Sequence, residues 1–407
     1  MEFTRRLLIK SAGLGLLAFG LPPAFLLRAA EQEKGPRQKI LVVVFQRGGM
    51  DGLNAVIPFK DRSYYSLRPS IAIAEPAAGE ERAIDLDGFY GLHPALAPLK
   101  PLFDKGQFAA VHATGSPDNT RSHFDAQDYM ELGTPGVKST PDGWLNRVLM
   151  ENKTESPLRA VALTQRLPRI LGGAAPALTL TSIEEFRLRQ SLMAPAVQKL
   201  YANVKDPLLR QGSNSLFAAM SVLRKVETGL PPAAAEGYPN GRFGTSLKEI
   251  SRMIKADVGL EIAFAEIDGW DTHVNEGGAT GQMANHLREL AEGLAAFFRD
   301  LGDRMEDVVL ATLSEFGRTA RENGNRGTDH GHANVMFIIG GKIKGGKVYG
   351  RWPGLDPAVL YEGRDLTLTT DFRAVCGEVL SRHMGRKNLK AIFPGYDFST
   401  QPLGIIA

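Results

Sequence analysis

The chain has 407 residues, 43% hydrophobic and 23% charged, an ordinary balance for a globular protein. A formal net charge of +3, with no dense Lys/Arg run alternating with aromatics, argues against nucleic-acid binding. A single cysteine, Cys376, excludes an intramolecular disulfide and a thiolate zinc cluster, and its apolar helical setting makes it a small core residue.

The first feature in chain order is "TRRLLIKSAGLGLLAFGLPPAFLLRAA". Paired Arg5 and Arg6 precede an apolar stretch, Leu14 to Leu27, that contains Pro22 and Pro23 and is short for a bilayer span. Residues 1–30 therefore read as a twin-arginine export signal, handled by the twin-arginine machinery and directing the chain to the periplasm or cell envelope of a bacterium. Arg28 spoils a clean small-residue cleavage site before Ala29 and Ala30, so removal and retention as an anchor both stay open. Membrane contact is expected only through an uncleaved leader. Residues 31–39, ending in Lys39, form a polar linker, and residues 40–407 are read as a single domain.

That domain opens with "ILVVVF", Ile40 to Phe45, whose continuous β-branched run predicts a strand buried on both faces. Further strands are expected at 108–113, 158–163, 260–267, 307–313 and 335–341, with helical patterns between them. The clearest helix spans 281–301, where Leu287, Leu290, Leu294, Phe297 and Leu301 recur at helical spacing, and another runs over 371–384. The fold class is α/β, a mostly parallel sheet covered on both sides. A helix-rich stretch at about 181–255 reads as a helical insertion.

Ligands in such sheets bind beyond the carboxyl ends of strands. The polar clusters fall there. The first strand is followed by "QRGGMDGLN" with Arg47 and Asp51, and the second by "TGSPDNTRSHFDAQDYME" with Arg121 and Ser122. "DGWDTHVN" supplies Asp268, Asp271 and His273, and "SEFGRT" supplies Glu315 and Arg318. "GTDHGHA" places His330 and His332 just before the last strong strand. Carboxylates and imidazoles gathered at one sheet edge are costly to bury without a cation, which makes a shared metal the expected partner. Simpler readings exist for several of them. Asp51 is also a turn residue, Ser122 an N-cap, His123 a helix-start surface side chain, and His93 and His112 structural histidines. "RGGMDG" does not match the G-x-G-x-x-G dinucleotide fingerprint.

"FQRGGMDGLNAVIP", "RSHFDAQDYME", "DGWDTH", "LSEFGRT" and "GTDHGHA", in this order behind the leader, resemble the bacterial family called DUF1501 across essentially the whole mature chain. That family is similar to the alkaline phosphatase-like superfamily of phosphatases, sulfatases and phosphomutases. The resemblance implies a three-layer, doubly wound α/β/α sandwich holding one or two divalent metals, with zinc, manganese, calcium or magnesium all open. Carried across by matching position, it implies Asp51 as a metal-binding aspartate, Ser122 as the nucleophile, and Asp268 or Asp271 with His273 as a metal pair. Glu315 and either His330 or His332 would complete the ligands. The sequence departs from the pattern at Phe316, where a histidine is expected; a second ion would lose a nitrogen ligand unless His330, His332 or His123 replaces it.

The function expected is an exported, metal-dependent hydrolase of phosphate or sulfate esters, with Arg47, Arg121 and Arg318 holding the oxygens of an anionic ester substrate. The alternative is a non-catalytic exported binding or assembly protein that keeps the fold.

Overall fold

The buried strand expected at the start of the domain is β1, Ile40–Gln46, and all seven of its residues are buried. The computed structural model describes residues 37–152, 156–184, 199, 204–205, 217–223, 237–399 and 402–407. Residues Lys39–Ala407 form one compact unit. The leader 1–30, most of the linker and much of the 181–255 insertion lie outside the described residues. Among the described residues, no helix is long and apolar enough to cross a membrane.

The main sheet is built from β1, β2 (Phe108–Gly115), β3 (Ala160–Ala162), β4 (Leu178–Thr179), β5 (Ile262–Ile267), β6 (Val308–Ser314), β7 (Asn334–Gly340) and β8 (Val348–Tyr349). Its order is β8-β2-β7-β6-β1-β5-β3-β4, and Thr370–Asp371 adds a further short pairing to β2. β1 runs parallel to both β5 and β6, with Val43 opposite Phe264 and Ala311. β7 is antiparallel to its neighbours β2 and β6. This reversal places the loop before β7 at the edge where the other central strands end. The two-residue strands, and the separate small sheet of Val56–Ile57, Gly91–Leu92 and Ile84–Asp85, are too short for any periodic signal in the sequence.

Alternation along β1 divides the core into two layers. Val42 and Val44 pack with Phe243 and Leu247 of α3 (Arg242–Lys255) and with Leu287, Leu290 and Leu294 of α4 (Gln282–Leu301). Leu41, Val43 and Phe45 face the other way, toward Met130 of α1 (His123–Leu132), Trp144 of α2 (Trp144–Met150) and Phe372 of α5 (Phe372–Glu378). The architecture is therefore a three-layer α/β/α sandwich with a mostly parallel sheet. Helix α4 occupies the 281–301 stripe, and α5 begins the 371–384 pattern.

Cys376 is buried in the second layer, and burial pushes its thiol up. His93 and His112 are core histidines. His112 accepts from the Ala113 amide at 2.8 Å, and its Nε2 lies 2.9 Å from the Val56 carbonyl. Burial lowers both rings to about 4.

Candidate metal centre

Four strand ends supply the site. The β1–loop turn is tight: Gly48 has φ +121°, and a Cβ there would fall 2.7 Å from the Asp271 nitrogen. The loop after β5 can thus lie against the loop after β1. Gly331, between the two histidines of "GTDHGHA", is pressed on the chain at Arg318, where a Cβ would come within 2.4 Å of backbone atoms. The flexibility of that motif serves close backbone approach.

Three imidazoles converge on one carboxylate oxygen. Asp271 Oδ1 lies 3.3 Å from His123 Nε2, 3.0 Å from His273 Nε2 and 3.1 Å from His330 Nε2. His273 Nε2 and His330 Nε2 are 2.9 Å apart. His123, Asp271 and His330 each offer a ligand atom within 4.8 Å of the others.

The opposite nitrogen of every ring is held by an acceptor. His123 Nδ1 lies 2.8 Å from Glu315 Oε1, His273 Nδ1 lies 3.0 Å from Asp329 Oδ1, and His330 Nδ1 lies 2.7 Å from the Arg121 carbonyl. In the tautomer that places the N–H on Nδ1, facing those acceptors, each Nε2 presents a lone pair to Asp271 Oδ1. Lone pairs and a carboxylate oxygen facing one another repel, and a divalent cation reverses that repulsion. Imidazoles whose far nitrogen is fixed by a carboxylate or carbonyl are also the usual support of metal-bound histidine. The donor set that fits a metal is His123 and His330 through Nε2 and Asp271 through Oδ1, with His273 Nε2 adjoining it beside His330.

The hydrogen bond to Glu315 raises the His123 pKa, with burial opposing and Asp271 adding to the effect, so a metal at Nε2 would have to displace a proton that this ring holds more firmly than usual. Burial pushes the Asp271 carboxyl up, but Arg318, His330 and His123 outweigh it and hold it at about 2. Burial acts likewise on Glu315, yet donors from His123, Gln127 and the Gly48 amide keep it below its ordinary value.

Glu315 therefore sits behind His123, accepting from Gln127 at 2.9 Å and Gly48 N at 2.8 Å as well. Phe316, in the place of an expected histidine, is buried, with its ring 4.9 Å from His123 and 4.8 Å from His330. An apolar wall stands there.

Several predicted site residues fall outside the cluster. Asp51 is fully buried, caps the short helical turn Gly52–Ala55 and is paired with Arg68, whose NH2 lies 3.1 Å from Asp51 Oδ1. Its charge is already compensated. Glu276 lies against this pair, and burial and the Asp51 charge raise its pKa well above the usual value. Asp268 is exposed and pairs with Arg242 at 3.0 Å. His332 is buried and stacked 4.4 Å from Tyr361, with its pKa lowered by burial.

Ser122 caps α1, its Oγ accepting from the Asp125 amide at 3.5 Å. It lies between Arg121, whose carbonyl holds His330, and His123.

The three arginines expected to hold substrate are engaged by protein groups. Arg47 bonds Glu266 at 2.6 Å and Glu131 at 3.0 Å. Arg121 bonds Glu362 and Asp365, each at 2.7 Å. Arg318 is buried and donates to the carbonyls of Gly48, Gly49, Trp270 and Thr328 and to Asp271. It ties three loops together.

Sequence reasoning offered His123 only as a possible replacement ligand beside its surface reading, and missed Asp329 as the support of His273. A histidine just inside a helix that begins after a strand was the available signal for the first. The second required knowing that the loops at 273 and 329 touch.

The fold and site together define an α/β/α protein with a histidine–aspartate cluster at the carboxyl edge of its sheet. The chain belongs to the family described as "Protein of unknown function (DUF1501)", whose profile matches residues 104–393. No curated protein matches its sequence.

Among solved structures, the backbone is similar to the C-terminal periplasmic domain of EptC from Escherichia coli in complex with Zn. Identity is 10%, with 75% of this chain and 73% of that one covered and a TM-score of 0.35. It is also similar to the PsFucS1 sulfatase from Pseudoalteromonas (14% identity, 79% and 66% covered, TM-score 0.36). A Vibrio parahaemolyticus protein of the alkaline phosphatase superfamily is comparable (10%, 77% and 63%, 0.35). The chain thus spans slightly under two thirds of the last two. Likeness at this level carries nothing about chemistry, which has to be argued from the cluster.

Proposed function

We propose that the protein is an exported, metal-dependent hydrolase of phosphate or sulfate esters. The observation that carries the metal dependence is the convergence of three imidazole Nε2 atoms on Asp271 Oδ1, with every Nδ1 held from behind. Three nitrogens and a carboxylate suit zinc or another first-row divalent ion better than calcium or magnesium, which favour oxygen donors. Within the four metals the resemblance leaves open, zinc is favoured. A bound ion supplies Lewis acidity toward an ester oxygen.

The chain's own residues position and shield. Arg318 and Asp271 lock the loops, Glu315 and Asp329 hold His123 and His273, and Phe316 closes one wall. Ser122 is the proposed attacking hydroxyl, on its place between two residues that touch the cluster. Its Oγ would form the new bond to phosphorus or sulfur as the ester P–O or S–O bond breaks, its proton passing to solvent while the leaving alkoxide takes one from solvent. Water would then free the serine. Export rests on the sequence of the leader.

The packing of Phe316 and the closure of Asp51 onto Arg68 favour a single ion over a pair, and also support a second reading in which the protein holds a metal without ester chemistry. Release of nitrophenol from aryl phosphate and aryl sulfate by the zinc-loaded protein decides between them. Turnover lost on chelation supports the hydrolase; a stoichiometric ion without turnover supports the binding protein.

A further inference from the structure

A second feature adjoins the cluster without belonging to it. A cleft of about 240 Å³ opens beside the 319–323 turn, Asp329 and the loop of Pro357 to Arg364, with Leu67 and Leu360 among its apolar walls. Arg321 and Arg364 both line it.

The polar groups of this cleft are unequally committed. Asp329 already accepts from His273 and Asn323, each at 3.0 Å. Glu322 accepts from the Ser70 amide at 2.9 Å, the Ser70 hydroxyl at 2.8 Å and the Ile71 amide at 3.1 Å. Arg364 donates to the His330 carbonyl at 2.9 Å and more loosely to Asp365 at 3.4 Å, and its side chain stays 39% exposed. Arg321 is exposed, and among the described residues its guanidinium has no partner. Beside a half-exposed Asp329 whose Oδ1 is engaged, the uncommitted donors of the cleft carry positive charge. A guanidinium fork on an apolar-walled concavity selects a planar or tetrahedral oxyanion.

Connection to the cluster is direct. Asp329 lines the cleft and holds His273; Arg364 lines it and holds the backbone of His330. We infer that this cleft is an anion subsite in which Arg321 and Arg364 take a carboxylate, phosphate or sulfate group separate from the group at the cluster. Taken with the hydrolase reading, on which this part rests, the substrate class is an ester carrying a second anionic group, and esters with a neutral remainder are poor substrates.

The test separates the subsite from the chemistry. Chelated, metal-free protein is titrated with inorganic sulfate by calorimetry, and crystals are soaked in selenate to locate the anion by its anomalous signal. The expected result is selenate between Arg321 and Arg364, with sulfate affinity reduced about tenfold in Arg321→Gln. It should be unchanged in Arg382→Gln, an exposed arginine in the 379–383 turn, where His383 contacts the start of β1. No selenate in the cleft, or equal sulfate affinity in all three proteins, overturns the subsite.

A second arm compares KM for an aryl phosphate with and without a distal carboxylate in the zinc-loaded enzyme. A rise in KM confined to the carboxylated ester in Arg321→Gln supports the substrate class, and an equal effect on both overturns it. Anion binding without turnover of any ester leaves the subsite in place and removes the hydrolase reading and the substrate class built on it.

Discussion

His273 Nε2 and His330 Nε2 lie 2.9 Å apart, although each ring has its other nitrogen against an acceptor, Asp329 in one case and the Arg121 carbonyl in the other. In the tautomer that carries both protons on Nδ1, the facing nitrogens are lone pairs. That contact is unfavourable by itself and becomes favourable when a cation sits between the rings and Asp271.

Glu315→Gln keeps the shape of the side chain but removes the charge that orients His123. Zinc affinity, measured by competition with a chromophoric chelator, should fall about 10- to 100-fold, while the thermal transition of the metal-free protein moves little. An unchanged affinity would show that His123 is held without Glu315.

Ser122→Ala tests the attacking hydroxyl. Loss of turnover by two or more orders of magnitude with metal content retained is expected. Loss of about 1 kcal/mol in stability should accompany it, from the missing cap on α1. Full turnover would assign attack to water and leave Ser122 only its cap.

Arg68 and Asp51 are fully buried and answer one another. Arg68→Met should cost about 3–5 kcal/mol by urea unfolding, because it leaves the Asp51 charge buried without its partner. A double variant with Asp51→Asn as well should recover part of that loss. Equal stability of the single variant and the parent would contradict the assignment.

Glu276 gives this network an alkaline limit. Its pKa is raised in the folded protein, so its contribution to stability is complete below the ordinary carboxyl value of 4.5 and is lost as pH rises through the folded value. Glu276→Gln supplies a permanent donor, and its urea midpoint should fall less on the alkaline side than that of the parent. Parallel curves for the two would place that titration elsewhere.

The acid side is set by other groups. His93 and His112 are lowered by burial from 6.5 to about 4. The unfolded chain binds protons there first, so stability should fall as pH drops from about 6.5 toward 4. His112→Gln should flatten that slope; an identical slope would show that the titration arises elsewhere.

How much of this was legible in the sequence differed by residue. "ILVVVF" announced a strand buried on both faces, because one local run carries that information. Asp271, His273 and His330 were legible as strand-end chemistry for the same reason. Asp51 looked alike in sequence, but its role was decided by Arg68, 17 residues on, and by Glu276, far along the chain. The arginines followed the same rule. A guanidinium after a strand says nothing of its acceptors, and those of Arg318 are carbonyls on two other loops and farther along its own. His123 was no more than a possible replacement ligand in sequence, because a lone imidazole one residue past an N-cap has the pattern of a surface residue. Only the antiparallel insertion of β7 brings the 330 loop to it.

Metal content addresses the cluster most directly. Protein loaded with zinc, passed through a desalting column and analysed by mass spectrometry of the elements should retain one ion per chain, and His330→Ala and Asp271→Ala should each retain far less while remaining folded by circular dichroism. Zinc retained equally by parent and variants, or no ion retained by the parent, would contradict a centre built from His123, Asp271, His273 and His330.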